Sequence, residues 1–185
     1  RQMCIRDSHY NALNLDRNSV VVIDLLGKNR MLSQKIALYV YYIANNADEN
    51  VSEYKKQLLL SISLHNYSLN AVSGGKSIFY RDTNFTLMSM PHKIIPTMLA
   101  TKEIWSQYQT NALTVANEPT FINGSLNPEV IEAAGFIENN AENMLLVDDK
   151  LVNEYTNYFL QIRTKINNQM FAIQIMSLSL IHISE

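Results

Sequence analysis

Val22-Ile23-Asp24-Leu25-Leu26-Gly27-Lys28-Asn29-Arg30-Met31-Leu32-Ser33-Gln34-Lys35-Ile36-Ala37-Leu38-Tyr39-Val40-Tyr41-Tyr42-Ile43 reads as one side of a long helix. Val22, Leu25, Leu26, Ile36, Ala37, Val40 and Ile43 recur at steps of three and four, the spacing that stacks side chains along one face. Such a stripe is buried only against other helices, so this stretch sets a helical architecture for the chain. In its middle, from Gly27 to Lys35, the apolar residues thin out. Arg30 follows Leu26 by four and precedes Ser33 by three, so Arg30, Ser33 and Gln34 lie around the helix where packing residues are expected. A charge near a seam requires a partner, and a small anion is one such partner.

Working outward, this first helix is predicted from about Leu13 to Asn45, roughly 50 Å at ~1.5 Å per residue. Asn45-Asn46-Ala47-Asp48 reads as a turn. Asn50 with Glu53 three residues later has the form of a capping box. The second helix carries Leu58, Leu59, Ile62, Leu69 and Val72 and stops at Gly74-Gly75. A loop of about eighteen residues follows, with Ser77–Tyr80 and Phe85–Leu87 as short extended pieces. Pro91 and Pro96 mark the entry to a third helix, where Pro96 fits the first turn because its missing N–H costs nothing there. Met98, Trp105, Tyr108, Ala112 and Val115 form its buried stripe, Glu118-Pro119 ends it, and Asn123-Gly124 makes a turn.

Asn127-Pro128-Glu129 opens a fourth helix: a cap, a proline at the first helical position, and an acid suited to the helix dipole. Val130, Ala134, Ile137, Ala141, Met144, Leu151, Tyr155, Phe159, Ile162, Ile166, Met170 and Ile173 keep the seam spacing to about Met176, roughly 70 Å. The expected fold is all-α, an antiparallel up-down four-helix bundle with long first and last helices. The first N-terminus and last C-terminus then share one end, where a membrane would lie. The apolar run Phe171–Met176 is itself far shorter than the ~20 residues a span needs.

The 185 residues are 47% hydrophobic and 17% charged, with a net charge of −2. These values suit one folded domain with a real core and argue against a nucleic-acid partner. Arg1–Ser8 and Ser179–Glu185 resemble translated sequencing-adapter remnants. The expected organisation is therefore 1–8 as an artefact, 9–176 as the domain and 177–185 as a second artefact, in a fragment that lacks both natural ends. Cys4 falls in the first of these segments. Without it the chain has no cysteine, so disulfides and thiol chemistry drop out.

The block Gly27-Lys28-Asn29-Arg30-Met31-Leu32-Ser33-Gln34-Lys35-Ile36-Ala37 resembles the signature of the PilJ-type sensing domain, the N-terminal module of type IV pili methyl-accepting chemotaxis-like receptors. That pattern is Gly-x-x-Arg-Met, then Leu-Ser-Gln, then a basic residue. Ser73-Gly74-Gly75, Pro96, Trp105 and Asn127-Pro128 fit it in order, and the resemblance covers about Leu13 to Met176. The family is similar to the sensing domains of nitrate/nitrite sensor kinases, which do not generally carry the Leu-Ser-Gln continuation.

The resemblance implies a periplasmic helical domain of an inner-membrane protein, flanked by two membrane helices. It also implies a homodimer with the first and last helices near the two-fold axis, and a cytoplasmic output module downstream: a histidine kinase, a chemotaxis-type signalling domain or another output. In the nitrate/nitrite sensors the arginine of this motif binds the anion, one from each protomer. That role falls here on Arg30, with Gly27 leaving room for close approach and Ser33 and Gln34 as further ligand-binding candidates.

Other environments suit the same residues. Arg30 also fits an ion pair with an acid on a neighbouring helix, such as Asp148, or plain solvation. Ser33 and Gln34 also fit polar space inside the helix packing, and Gly27 fits close helix contact. Tyr39, Tyr41 and Tyr42 point in different directions and read as core plus surface, and Trp105 as a core filler. His65 and His92 lack companions at metal-ligand spacing, and Glu142, Asp148 and Asp149 do not form a catalytic pair.

Glu-x-x-His on paired helices, which a carboxylate-bridged metal bundle requires, does not occur. No glycine-rich phosphate loop, nucleophile elbow or zinc motif is present either. The expectation is therefore a sensor and not an enzyme, with no catalytic residues, no metal and no cofactor. The competing expectation is a structural or dimerising bundle without a small-molecule ligand.

Overall fold

The computed structural model describes residues 2–45 and 50–183. Four helices carry most of the chain: α1 (Gln2–Asn45), α2 (Val51–Gly74), α3 (Ile95–Asn117) and α4 (Pro128–Ile183). Two short antiparallel hairpins interrupt them, β1 (Ser77–Tyr80) with β2 (Thr83–Thr86), and β3 (Phe121–Ile122) with β4 (Ser125–Leu126). The architecture is thus mostly helical with small sheets: the expected all-α class holds in outline, and the extended pieces expected at Ser77–Tyr80 and Phe85–Leu87 fall in or beside a paired hairpin.

The helices pack α1 on α2, α1 on α4, α3 on α4 and α2 on α3. Between them lies one apolar core. From α1 it takes Val22, Leu25, Leu26, Ile36, Val40 and Ile43, and from α2 Leu58, Ile62, Leu69 and Val72. Met98, Trp105, Tyr108, Ala112 and Val115 of α3 join Val130, Ile137, Met144, Leu151, Tyr155 and Phe159 of α4. These are the positions that the three-and-four spacing selects, because that period keeps one face of each helix turned inward. Leu59 departs from the expectation: it is exposed, since α2 turns Leu58 and Ile62 inward and Leu59 lies about 100° away.

α1 has 44 residues and α4 has 56, so each outruns α2 and α3. Both extend into the segments expected to be foreign, α1 from Gln2 and α4 to Ile183. Among the described residues no helix is long and apolar enough to cross a membrane.

The helix ends follow local chemistry. Gly75 closes α2 with φ 57°, and its N–H bonds back to Ala71 O. A Cβ there would lie 3.3 Å from the Met88 carbonyl oxygen, so glycine suits both the conformation and the space. The capping box expected at Asn50 and Glu53 does not form, because Asn50 sits in the right-handed helical region and its side chain makes no cap bond. Of the turn expected at Asn45–Asp48, residues 46–48 lie outside the described residues.

Pro96 does occupy the first turn of α3. At the start of α4, Asn127 Oδ1 accepts the Glu129 N–H at 3.1 Å while its Nδ2 donates to Pro119 O at 3.0 Å.

The hairpin turns also have local causes. Arg81 and Asp82 (φ 46° and 62°) and Asn123 and Gly124 (φ 53° and 80°) are the paired left-handed residues of two-residue hairpin turns. The first hairpin is tied to α1. Tyr80 Oη donates to Asp24 Oδ2 at 2.8 Å, and the Met88 N–H reaches Asn18 Oδ1 at 2.8 Å.

Candidate functional site

On α1, Asn29 and Arg30 are neighbours in sequence and face opposite worlds. Asn29 is fully buried; Arg30 keeps 47% of its side chain exposed. The same split recurs on α4, where Asp148 is buried and Asp149 keeps 33% of its side chain exposed. Consecutive helical residues lie about 100° apart, so each pair sends one side chain inward and one outward. An inner polar layer and an outer ion pair result, set side by side across α1 and α4.

The outer element joins Arg30 Nε to Asp149 Oδ1. Arg30 therefore has an acid partner on a neighbouring helix, but the acid is Asp149 and not Asp148. Gln34, one turn along α1, is exposed and donates from Nε2 to Ala141 O at 3.3 Å. It borders an open groove of roughly 750 Å³ between α1 and α4, lined also by Leu38, Tyr41, Ile131, Gly135 and Ala141. Gly27 lies on the same side of α1, and a Cβ added there would meet nothing within 4 Å. Within one chain, then, nothing presses on Gly27.

Ser33 goes the other way. It is buried, its Oγ donates to Arg30 O at 3.0 Å, and its own carbonyl accepts Tyr108 Oη at 3.3 Å. The four candidate residues are therefore divided: Gly27, Arg30 and Gln34 lie toward the α1 surface, and Ser33 lies in the interior.

The inner layer draws on all four helices. His65 Nε2 of α2 lies 3.3 Å from Asp148 Oδ2 of α4. The His65 ring stacks on Trp105 of α3 with centroids 3.7 Å apart and planes 22° from parallel. Asn29 of α1 donates from Nδ2 to His65 O at 3.5 Å and accepts Ser68 Oγ. Burying an unpaired carboxylate is costly, and the imidazole answers it directly. Burial, reinforced by the nearby Asp148 carboxylate, pushes the Tyr108 hydroxyl well above the ordinary phenol range. Tyr108 therefore stays a donor to Ser33 O. His65 Nδ1, Trp105 Nε1 and Asp148 Oδ1 are buried without a hydrogen-bond partner, so the layer is polar beyond what its own bonds satisfy.

The sequence reading found for His65 no companion at metal-ligand spacing and offered Asp148 as one acid that Arg30 could pair with. A signal for the pair was available: His65 continues Leu58, Ile62, Leu69 and Val72 at steps of three and four, and Asp148 falls between Met144 and Leu151 in the same way. Trp105 is buried as expected, but it packs on an imidazole and not on aliphatic neighbours alone. Tyr39 and Tyr42 are half-buried against Tyr54, while Tyr41 is exposed at the groove. Among the described residues, no group of three His, Cys, Asp or Glu side chains could hold a metal ion.

Comparison of the chain with protein-family models, with curated proteins and with solved structures gave no match.

Proposed function

We propose that this chain is the extracytoplasmic ligand-sensing domain of a bacterial transmembrane receptor, of the histidine-kinase or chemotaxis type. In this reading the helices form an antiparallel up-down four-helix bundle that works as a homodimer. A small oxyanion such as nitrate or nitrite is the ligand, and Arg30 of each protomer is the receptor group. The observation that carries the reading is the setting of Arg30. Its half-exposed side chain flanks an outward stripe on α1, where Val20, Met31, Leu38 and Tyr41 are exposed apolar side chains.

Gly27 and Gln34 fall on the same outward side, at helical steps from Met31 and Leu38. A second copy seated on that stripe would bring two guanidinium groups together. Two like charges in a partly dry contact repel, and a planar oxyanion offers bidentate acceptors to each. Occupied and empty states then favour different spacings of the two α1 helices, and long rigid α1 and α4 carry the change toward the membrane. A differential affinity of about 1–3 kcal/mol changes output several-fold to a hundred-fold.

Nitrate titration by calorimetry tests the reading on the purified chain. Saturable binding by the native protein that is lost in Arg30→Ala supports it; equal affinity in the two proteins removes Arg30 from any site. A second reading, a structural dimerising bundle without a ligand, is favoured by the Arg30–Asp149 pair, which gives the guanidinium a partner within its own chain. Native protein that dimerises and takes up no anion would select it.

A further inference from the structure

We propose that Asp149 is a built-in rival for the anion at Arg30, so that ligand capture exchanges an α1–α4 tie for a bound oxyanion. This inference rests on the anion-sensing reading. The Asp149 carboxylate is itself a planar oxyanion, and its Oδ1 occupies the Nε edge of the Arg30 guanidinium. A ligand claiming that edge displaces Asp149. A ligand that binds another edge still meets the negative charge of Asp149 close by. Either way the native affinity lies below that of a bare guanidinium.

Asp149 is held there by more than its attraction to Arg30. Its neighbour Asp148 is buried against His65, which is clamped by the Trp105 ring. Rotating α4 to withdraw Asp149 would pull the Asp148 carboxylate away from the His65 imidazole, so the inner layer fixes the face that α4 turns toward Arg30. Displacement of Asp149 is therefore a side-chain event with α4 held in register. It removes the Arg30–Asp149 ion pair between α1 and α4 just where the ligand binds, while the apolar packing of the two helices stays in place. The ligand class follows from the rival. A carboxylate is a planar monoanion, so planar monoanions of similar size, nitrate among them, compete for the same edge in the same geometry.

Asp149→Asn keeps the shape and removes the charge. With one third of the side chain exposed, the change leaves the core untouched, and matching thermal melts for the two proteins check that it does. Sodium nitrate is titrated into native protein, Asp149→Asn and Arg30→Ala at constant ionic strength held with sodium chloride. Rivalry is expected to give nitrate binding about two- to fivefold tighter in Asp149→Asn than in the native chain, and none in Arg30→Ala. Unchanged or weaker binding in Asp149→Asn, with Arg30→Ala still inactive, overturns the rivalry and leaves Arg30 as the anion receptor. Equal binding in Arg30→Ala and native protein, or no binding in any of the three, removes the anion site and the rivalry with it.

Discussion

His65 Nε2 lies 3.3 Å from Asp148 Oδ2, with both side chains sealed from solvent at the level where all four helices meet. A buried, hydrogen-bonded pair of this kind is costly to split. Removing one partner leaves the other without compensation, an effect of about 3–5 kcal/mol, whereas replacing both by apolar groups is often close to neutral. His65→Leu and Asp148→Leu should therefore each destabilise strongly, and the double variant should lose much less than their sum. Urea unfolding of the four proteins measures the coupling, expected to exceed about 1 kcal/mol; additive losses would mean that the two groups do not depend on each other.

Acid should loosen the first hairpin before the helices. Burial raises the Asp24 carboxyl, but hydrogen bonds from Lys28 and Tyr80 and the charges of Lys28 and Arg81 outweigh it, leaving the group below the ordinary carboxylate range. A carboxyl lowered in the folded state stabilises above its unfolded value of about 4 and loses that contribution as pH falls through the lower folded value. The protection of the Leu87 amide, which bonds to Lys76 O, against hydrogen exchange relative to its intrinsic rate at each pH should fall across that acid window. In Tyr80→Phe the acid dependence should shrink, because one of the bonds that hold the carboxylate is gone.

Two glycines should respond oppositely to alanine. Gly75 has φ 57° and backbone atoms 3.3 Å from a notional Cβ, so Gly75→Ala should cost about 1–2 kcal/mol. Gly135 lies inside α4 with nothing within 4 Å of that position, so Gly135→Ala should stabilise by about 0.5–1 kcal/mol. Thermal melts of the two variants should move in opposite directions; a loss at Gly135 would point to close packing by a second molecule in the groove.

Asn127→Ala should cost about 1–2 kcal/mol, because it removes the bond to the Glu129 N–H and also the one to Pro119 O. Asn50→Ala should cost almost nothing, since that side chain caps nothing. Parallel chemical unfolding of both variants distinguishes the two asparagines.

The helical part of the fold was legible because spacing of three and four residues maps directly onto burial. Ile36, Leu69, Tyr108 and Leu151 all lie where it placed them. The hairpins were less legible. Ser77–Tyr80 carried an extended signal, but Thr83 and Asn84 read as loop, and β3 and β4 have only two residues each. Their pairing depends on the left-handed residues at the turns.

The candidate site shows where periodicity reaches its limit. Arg30 fits a step series from Leu26 to Ser33, and Asn29 fits an equally good one from Leu25 to Ser33. A helix advancing about 100° per residue admits both. Only the packed partners decide, and they put Asn29 inside and Arg30 outside. The step series puts His65 and Asp148 on inward faces, but it does not state that the two meet each other, or that Asp149 meets Arg30, because that depends on the rotation of α4 against two other helices.

The most direct measurement watches the guanidinium itself. In protein with nitrogen-15-labelled arginine, the Arg30 Nε–H resonance is identified by its loss in Arg30→Lys and followed during a nitrate titration at constant ionic strength. Anion sensing at Arg30 requires that this resonance move saturably while the Arg17 and Arg81 signals stay in place. An Arg30 signal that does not move, or that moves no more than those of the other arginines, contradicts it.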